Sequence, residues 1–322
     1  YWRQCRSKLY KKIMKHIEEV PWWICDEGDY NFCSYVDTDS NYFHAEPLLK
    51  HLNPDFDNLD TNEKDDMLEK VALQYQDIIT NSYDKLAKEC FNVPEHRLEM
   101  KTECVIRSAY FRATRRYAQW ITKSEGIAGE KLDVKGLEFK KSNFPPVLGD
   151  FFRNALIDVL KGTQQKEIDS RLSKFKTEIL DGSVPLIDLG NPTGVKTLNK
   201  YLERKPRAGE MFSVMKKGAP AAVKAATAYN DLLRFWGLSK DHSYIVQGDK
   251  VKYIYLKPNP YQINAMAFMN FDMPKKIEDF LEKYADRQKV FDSILLNKLE
   301  GFYDDLGWSL NLNPYKDIFF NF

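Results

Sequence analysis

Paired cysteine is what this 322-residue chain most plainly lacks. Its five cysteines, Cys5, Cys25, Cys33, Cys90 and Cys104, are odd in number and never stand at C-x-x-C spacing. That argues against a disulfide framework or a cysteine zinc site, and makes a reducing compartment, the cytoplasm, the expected location. Histidine is scarce too: five are present, none with a partner at metal-ligand spacing, so His16 and His44 read as structural. No apolar run approaches the length of a membrane span, and no stretch has the order of a secretory signal. A G-x-x-x-x-G-K-[ST] loop is missing, which argues against a P-loop NTPase. Finally, 48 basic residues against 47 acidic leave no overall field for a polyanion, so nucleic-acid binding would have to come from local clusters.

What is present is a core. With 43% hydrophobic and 14% aromatic residues, the chain can fill one large or two medium domains and is not disordered. Trp2, Cys5, Leu9, Ile13, Ile17 and Val20 recur at helical spacing, and Pro21 closes that helix. A strand over residues 31–36 enters an acidic turn and pairs with residues 41–44. Asp60 and Glu63 form a capping box for a long helix with Met67, Leu68, Val71, Tyr75, Ile78, Ile79, Leu86 and Cys90 on its apolar stripe. Strands are expected over 96–107 and 110–121. Composition shifts near Lys140-Lys141-Ser142-Asn143-Phe144-Pro145-Pro146, where a double proline after a polar run is a candidate boundary. Helices follow over 148–159, 168–180, 221–236, 275–284 and 287–299, with a hairpin of 242–247 and 251–256 about Gly248-Asp249. The expected class is α+β: antiparallel strands with a long helix, then a mostly helical region. The expected division is 1–144, 145–309 and a tail over 310–322.

The chemistry concentrates in Tyr35-Val36-Asp37-Thr38-Asp39-Ser40. Carboxylates two residues apart in extended chain point to one side, about 7 Å apart. Hard divalent cations such as Mg²⁺ need clustered carboxylate oxygens. The bland reading is a surface turn in which Asp bonds its own backbone. The full string, however, arises by chance with a probability on the order of 10⁻⁴. About 75 residues downstream lies Arg112-Ala113-Thr114-Arg115-Arg116-Tyr117-Ala118. On one continuous strand, Arg115 and Tyr117 would share a face at about the spacing of successive phosphates. A solvated basic face is the plain alternative.

Together these stretches resemble family B DNA polymerases, closest to those of T4-like bacteriophages. The acidic string is similar to their C motif, and Arg115-Arg116-Tyr117-Ala118 to the K-K-R-Y-A stretch that holds the primer terminus. Thr114 and Arg115 stand where lysines are usual, which exchanges point charges for a hydroxyl and a rigid fork. Lys135-Gly136-Leu137-Glu138 with Lys140-Lys141-Ser142 resembles the passage from palm to thumb. The likeness continues through Lys224, Tyr229-Asn230 and Leu299-Glu300-Gly301-Phe302.

The resemblance implies a partial palm, a thumb and a clamp-binding tail. Asp39 would be the direct metal ligand and Asp37 its support, with two Mg²⁺ ions serving attack of a primer 3′-hydroxyl on the α-phosphate of a dNTP and departure of pyrophosphate. Glu103 is a third carboxylate candidate, either near the metal or in a plain cross-strand ion pair. Arg115, Arg116, Tyr117, Lys135, Lys140, Lys141, Lys196 and Lys200 would face primer–template DNA, the last two in a basic stretch with Arg204, Lys205, Arg207, Lys216 and Lys217. Ile318, Phe319, Phe320 and Phe322 would engage a sliding clamp, unless the tail folds back on its own domain.

Equally informative is what the likeness leaves out. No D-x-x-S-L-Y-P stretch, no K-x-x-x-N-S-x-Y-G helix and no exonuclease carboxylates are present. The chain also begins at Tyr1, inside a helical pattern. The expectation is a C-terminal portion that needs an N-terminal partner, working in the cytoplasm of a host cell if viral. A non-catalytic DNA-binding or clamp-tethering subunit is the alternative, and an unrelated metal-dependent nuclease a third.

Overall fold

The structure, a computed structural model, describes residues 33–37, 40–94, 96–137, 139 and 144–310, the first five by backbone alone. The helix expected over 1–20, the ligand candidate Asp39, Lys140 and Lys141, and the tail with Ile318, Phe319, Phe320 and Phe322 lie outside the described residues. The fold is α+β, with antiparallel sheets and a helical C-terminal region. The chain divides into two compact units after Lys135.

In the first unit, β1 (Cys33–Asp37) and β2 (Ser40–Phe43) pair antiparallel, with Tyr35 opposite Tyr42 and Asp37 opposite Ser40. A short helix α1 (Glu46–Leu52) and a 3₁₀ turn (Phe56–Asn58) lead to α2 (Thr61–Phe91). Asp60 starts α2 as expected. Its carboxylate accepts from the N–H groups of Asn62 and Glu63, both at 2.8 Å, and Glu63 returns a bond from Asp60 N–H at 3.0 Å. Asn92, left-handed at φ 52°, ends the helix by turning its N–H onto Ala87 O. Leu49, Phe56 and Val71 form a small core, flanked by Met67, Leu68 and Tyr75. Each such buried side chain contributes about 1.5–3 kcal/mol.

A meander follows: β3 (Cys104–Ala113), β4 (Arg116–Ser124) and β5 (Ile127–Lys135), with β4 central. Tyr117 to Thr122 are all buried, so β4 is covered on both faces and does not alternate. Two expectations are corrected here. Residues 96–103 form no strand; they run along α2, held by Thr102 N–H to Gln76 Oε1 at 2.7 Å and His96 to Asp84 at 3.2 Å. The single strand expected over 110–121 is two, reversing at Thr114-Arg115 with Arg115 at φ 60°. No glycine marks that reversal. Glu125 and Gly126, both at positive φ, make the next hairpin turn into β5, which the sequence reading passed over although a glycine after a buried strand signals it. Buried Asp65 on α2 holds Arg107 of β3 at 2.7 Å, and Glu69 holds Lys123 of β4 at 2.7 Å, fastening helix to sheet.

The second unit opens with α3 (Pro146–Leu160) and α4 (Gln165–Leu180), whose Phe151 and Phe175 rings stack at 4.7 Å. After α5 (Leu186–Leu189), β6 (Asn191–Gly194) joins a sheet of order β10–β9–β6 with β9 (Lys250–Tyr255) and β10 (Ala265–Phe268). Between them in sequence lie α6 (Leu198–Tyr201), the small pair β7 (Leu202–Arg204) and β8 (Val214–Met215), and α7 (Ala221–Phe235). The hairpin expected of 242–247 with 251–256 does not form; β9 pairs with β6 and β10. Residues 242–247 bond instead to Asn230 of α7 and to Asp272, while Gly248 turns the chain onto Val195. Helix α8 (Lys275–Tyr284), α9 (Arg287–Val290), a π-helical turn (Phe291–Leu296) and α10 (Asn297–Asp305) complete the unit. Buried Arg287 donates to Ile179 O at 3.3 Å and Val184 O at 2.7 Å, capping the end of α4. Among the described residues, no helix is long and apolar enough to cross a membrane.

Candidate functional site

The strands on either side of the acidic turn pair antiparallel, as expected. Asp37 closes β1 opposite Ser40, and Thr38 and Asp39 are the residues between them in sequence. By donor chemistry alone, the hard carboxylates of Asp37 and Asp39, two residues apart in sequence, suit Mg²⁺. Among the described residues, no three His, Cys, Asp or Glu side chains cluster to hold a metal.

The two faces of β2 grip different partners. Phe43 stacks on Tyr75 of α2 at 5.5 Å. Tyr42 points the other way, its ring 5.7 Å from Phe111 of β3 and 5.8 Å from Tyr117 of β4. Phe111 and Tyr117 are themselves cross-strand partners, with ring centres 5.5 Å apart. The Tyr42 and Tyr117 hydroxyls lie 3.2 Å apart, within hydrogen-bond reach. Burial first, and then the bond to Tyr42, push the Tyr117 phenol well above its ordinary range. The structure therefore joins the acidic hairpin to the strand of Tyr117, the residue the resemblance assigns to the primer.

The basic residues are placed less simply. Arg115 does not share a strand face with Tyr117; it sits exposed in the turn before β4, and exposed Arg116 opens the strand. Lys135, at the end of β5, pairs in register with Tyr117 and is exposed. So Arg115, Arg116, Tyr117 and Lys135 gather at one end of the meander, the end that Tyr42 touches. Glu103 does not. It is exposed just before β3, whose length puts it roughly 25 Å along the strand from Phe111. The residues that the sequence reading missed are Tyr42 and Phe111. Their only local signal was an aromatic at an alternating strand position, which is also what a plain core residue looks like.

In the second unit, Lys196 follows β6 and Lys200 lies on α6, both exposed. Arg204 is spoken for: its guanidinium takes both oxygens of Glu210, at 2.5 and 3.0 Å, and Arg207 N–H adds a third bond at 2.9 Å. These bonds, Arg204 first, lower the Glu210 carboxyl to about 2. Lys196, Lys200, Lys205, Arg207, Lys216 and Lys217 have no carboxylate partner among the described residues, which leaves a local excess of positive charge over 196–217.

No family model matches this chain, and no curated protein does either.

Proposed function

We propose that the chain is the C-terminal portion of a DNA-directed DNA polymerase of family B, active only with an N-terminal partner chain. The observation that carries the reading is the contact between the acidic hairpin and the strand of Tyr117. Two stretches that resemble the polymerase C motif and primer-holding stretch lie far apart in sequence and meet through Tyr42. In this reading Asp37 and Asp39 hold Mg²⁺, which when bound supplies Lewis acidity for phosphoryl transfer. Arg115, Arg116 and Lys135 meet phosphates of the primer–template duplex, and Tyr117 orders the primer end. Lys196 and Lys200, with their basic neighbours, grip duplex phosphates from the second unit. The tail over Ile318, Phe319, Phe320 and Phe322 docks on a sliding clamp. Glu103 is given no part in metal binding, because its end of β3 lies away from the hairpin contact.

Primer extension by the chain alone, and after mixing with its companion, tests this. Extension is expected only in the mixture and only with dNTPs. Robust extension by the chain alone would defeat the split-enzyme reading. A second reading, a DNA-binding or clamp-tethering subunit without catalysis, is favoured by the cations over 196–217, whose charge serves binding whatever the chemistry. Asp39→Ala separates the two. Lost extension with unchanged duplex binding supports the enzyme; unchanged extension supports the subunit.

A further inference from the structure

The hairpin that carries Asp37 shares no backbone ladder with the meander. Among the described residues, β1 and β2 form a two-stranded sheet of their own, and β3, β4 and β5 another. An isolated two-stranded hairpin is at best marginally stable in water. Side chains must therefore set where this one sits. On one side Phe43 stacks on Tyr75, an aromatic contact tolerant of sliding. On the other, Tyr42 meets Phe111 edge-on at 69° and reaches the Tyr117 hydroxyl with its own. A hydrogen bond constrains distance and direction where a ring contact alone does not. Tyr42 is two residues from Ser40 and so about 7 Å along the strand from the turn. Tyr117 adjoins Arg116 at the other end of the bond.

From this geometry we infer that Tyr42 is a positioning residue: its hydroxyl, bonded to that of Tyr117, fixes the acidic hairpin against the strand that orders the primer. The inference rests on the polymerase reading above. Tyr42 touches neither metal nor nucleotide in this role. It acts through Asp37 and Asp39 on one side and Tyr117 on the other. Its effect belongs in the chemical step rather than in binding, because a displacement of about 1 Å between reacting groups can cost on the order of 10²-fold in rate.

Tyr42→Phe is the decisive variant, since it keeps both ring contacts and removes only the hydroxyl. In the reconstituted pair, kcat for single-nucleotide insertion is expected to fall about tenfold, with KM for dNTP and Kd for duplex changed less than about twofold. The melting temperature should stay within a few degrees of wild type, setting aside a purely structural effect. Tyr117→Phe removes the same bond. The double variant Tyr42→Phe with Tyr117→Phe should thus be no slower than the slower single, the mark of one shared interaction. If wild type extends primers and Tyr42→Phe keeps kcat within about twofold, the positioning role is wrong and the polymerase reading stands. Multiplicative losses in the double variant would overturn the role equally. Absence of extension by the wild-type pair defeats the polymerase reading itself, and the positioning role falls with it.

Discussion

The hydroxyls of Tyr42 and Tyr117, 75 residues apart in sequence, lie 3.2 Å from each other. Around them the rings of Tyr42, Phe111 and Tyr117 close a three-membered cluster with centres 5.5 to 5.8 Å apart. Aromatic pairs of this kind add about 0.5–1.5 kcal/mol each beyond their buried area. Tyr42 is half-buried, so truncation should cost less than a full core aromatic. Tyr42→Ala is expected to destabilise the chain by about 2 kcal/mol in urea unfolding, and Tyr42→Phe by under about 1 kcal/mol. Equal losses for the two would mean that the rings contribute little.

Arg115 presents an opposition between stability and function. A non-glycine residue at φ 60° carries a strain of about 1–2 kcal/mol. Arg115→Gly removes it, partly offset by the freer unfolded chain, for a net change between zero and about 1 kcal/mol in favour of the fold. If Arg115 meets a phosphate, the same variant should bind duplex DNA more weakly, and the slope of log affinity against log salt should shrink by about 1. Arg115→Val, with a branched Cβ in the left-handed region, should lose stability as well as affinity. Thermal melting and fluorescence anisotropy over a salt series read both effects.

Gly190 sits where two side chains crowd the backbone. A Cβ there would lie 2.5 Å from Cζ of Phe268 and 2.9 Å from Cβ of Lys252. Phe268 is fully buried and cannot swing aside. Gly190→Ala is expected to cost about 2–3 kcal/mol in denaturant unfolding. Gly129, on exposed β5 with no atom within 4 Å of its added Cβ, is the control. Gly129→Ala should be neutral or slightly stabilising.

Acid should loosen the 204–210 segment. The Glu210 carboxyl titrates at about 2 in the folded chain, below its ordinary 4.5, because the Arg204 guanidinium and then Arg207 N–H bond to its charged form. A depressed carboxyl contributes stability that is present above the ordinary value and lost as pH falls from there through about 2. Carboxyl ¹³C shifts followed from pH 6 to about 1 should show the low midpoint, and Arg204→Gln should move it upward. A midpoint unmoved by Arg204→Gln would assign the effect elsewhere.

Local chemistry alone dictates much of this fold. Asp60 and Glu63 can reach each other within one turn, so the start of α2 is written in four consecutive residues. The apolar spacing of Leu148, Phe152 and Leu156, or of Ile168, Leu172 and Ile179, suits a helix whatever lies nearby, and those helices form where expected. The acidic string likewise names its own hairpin, since a strand, a turn and a return strand need only neighbours in sequence. Other features depend on partners far along the chain. Nothing in Thr114-Arg115 announces a reversal; the chain turns there because Tyr117 finds its cross-strand partner in Phe111 and the next strand in Lys135. Strand β9 pairs with β6 and β10 although an adjacent segment was the nearer candidate, because residues 242–247 satisfy their backbone on Asn230 and Asp272 instead. The meeting of the two candidate motifs is of this second kind. Tyr42 and Tyr117 are each an ordinary strand aromatic until folding brings their hydroxyls within hydrogen-bond reach of each other.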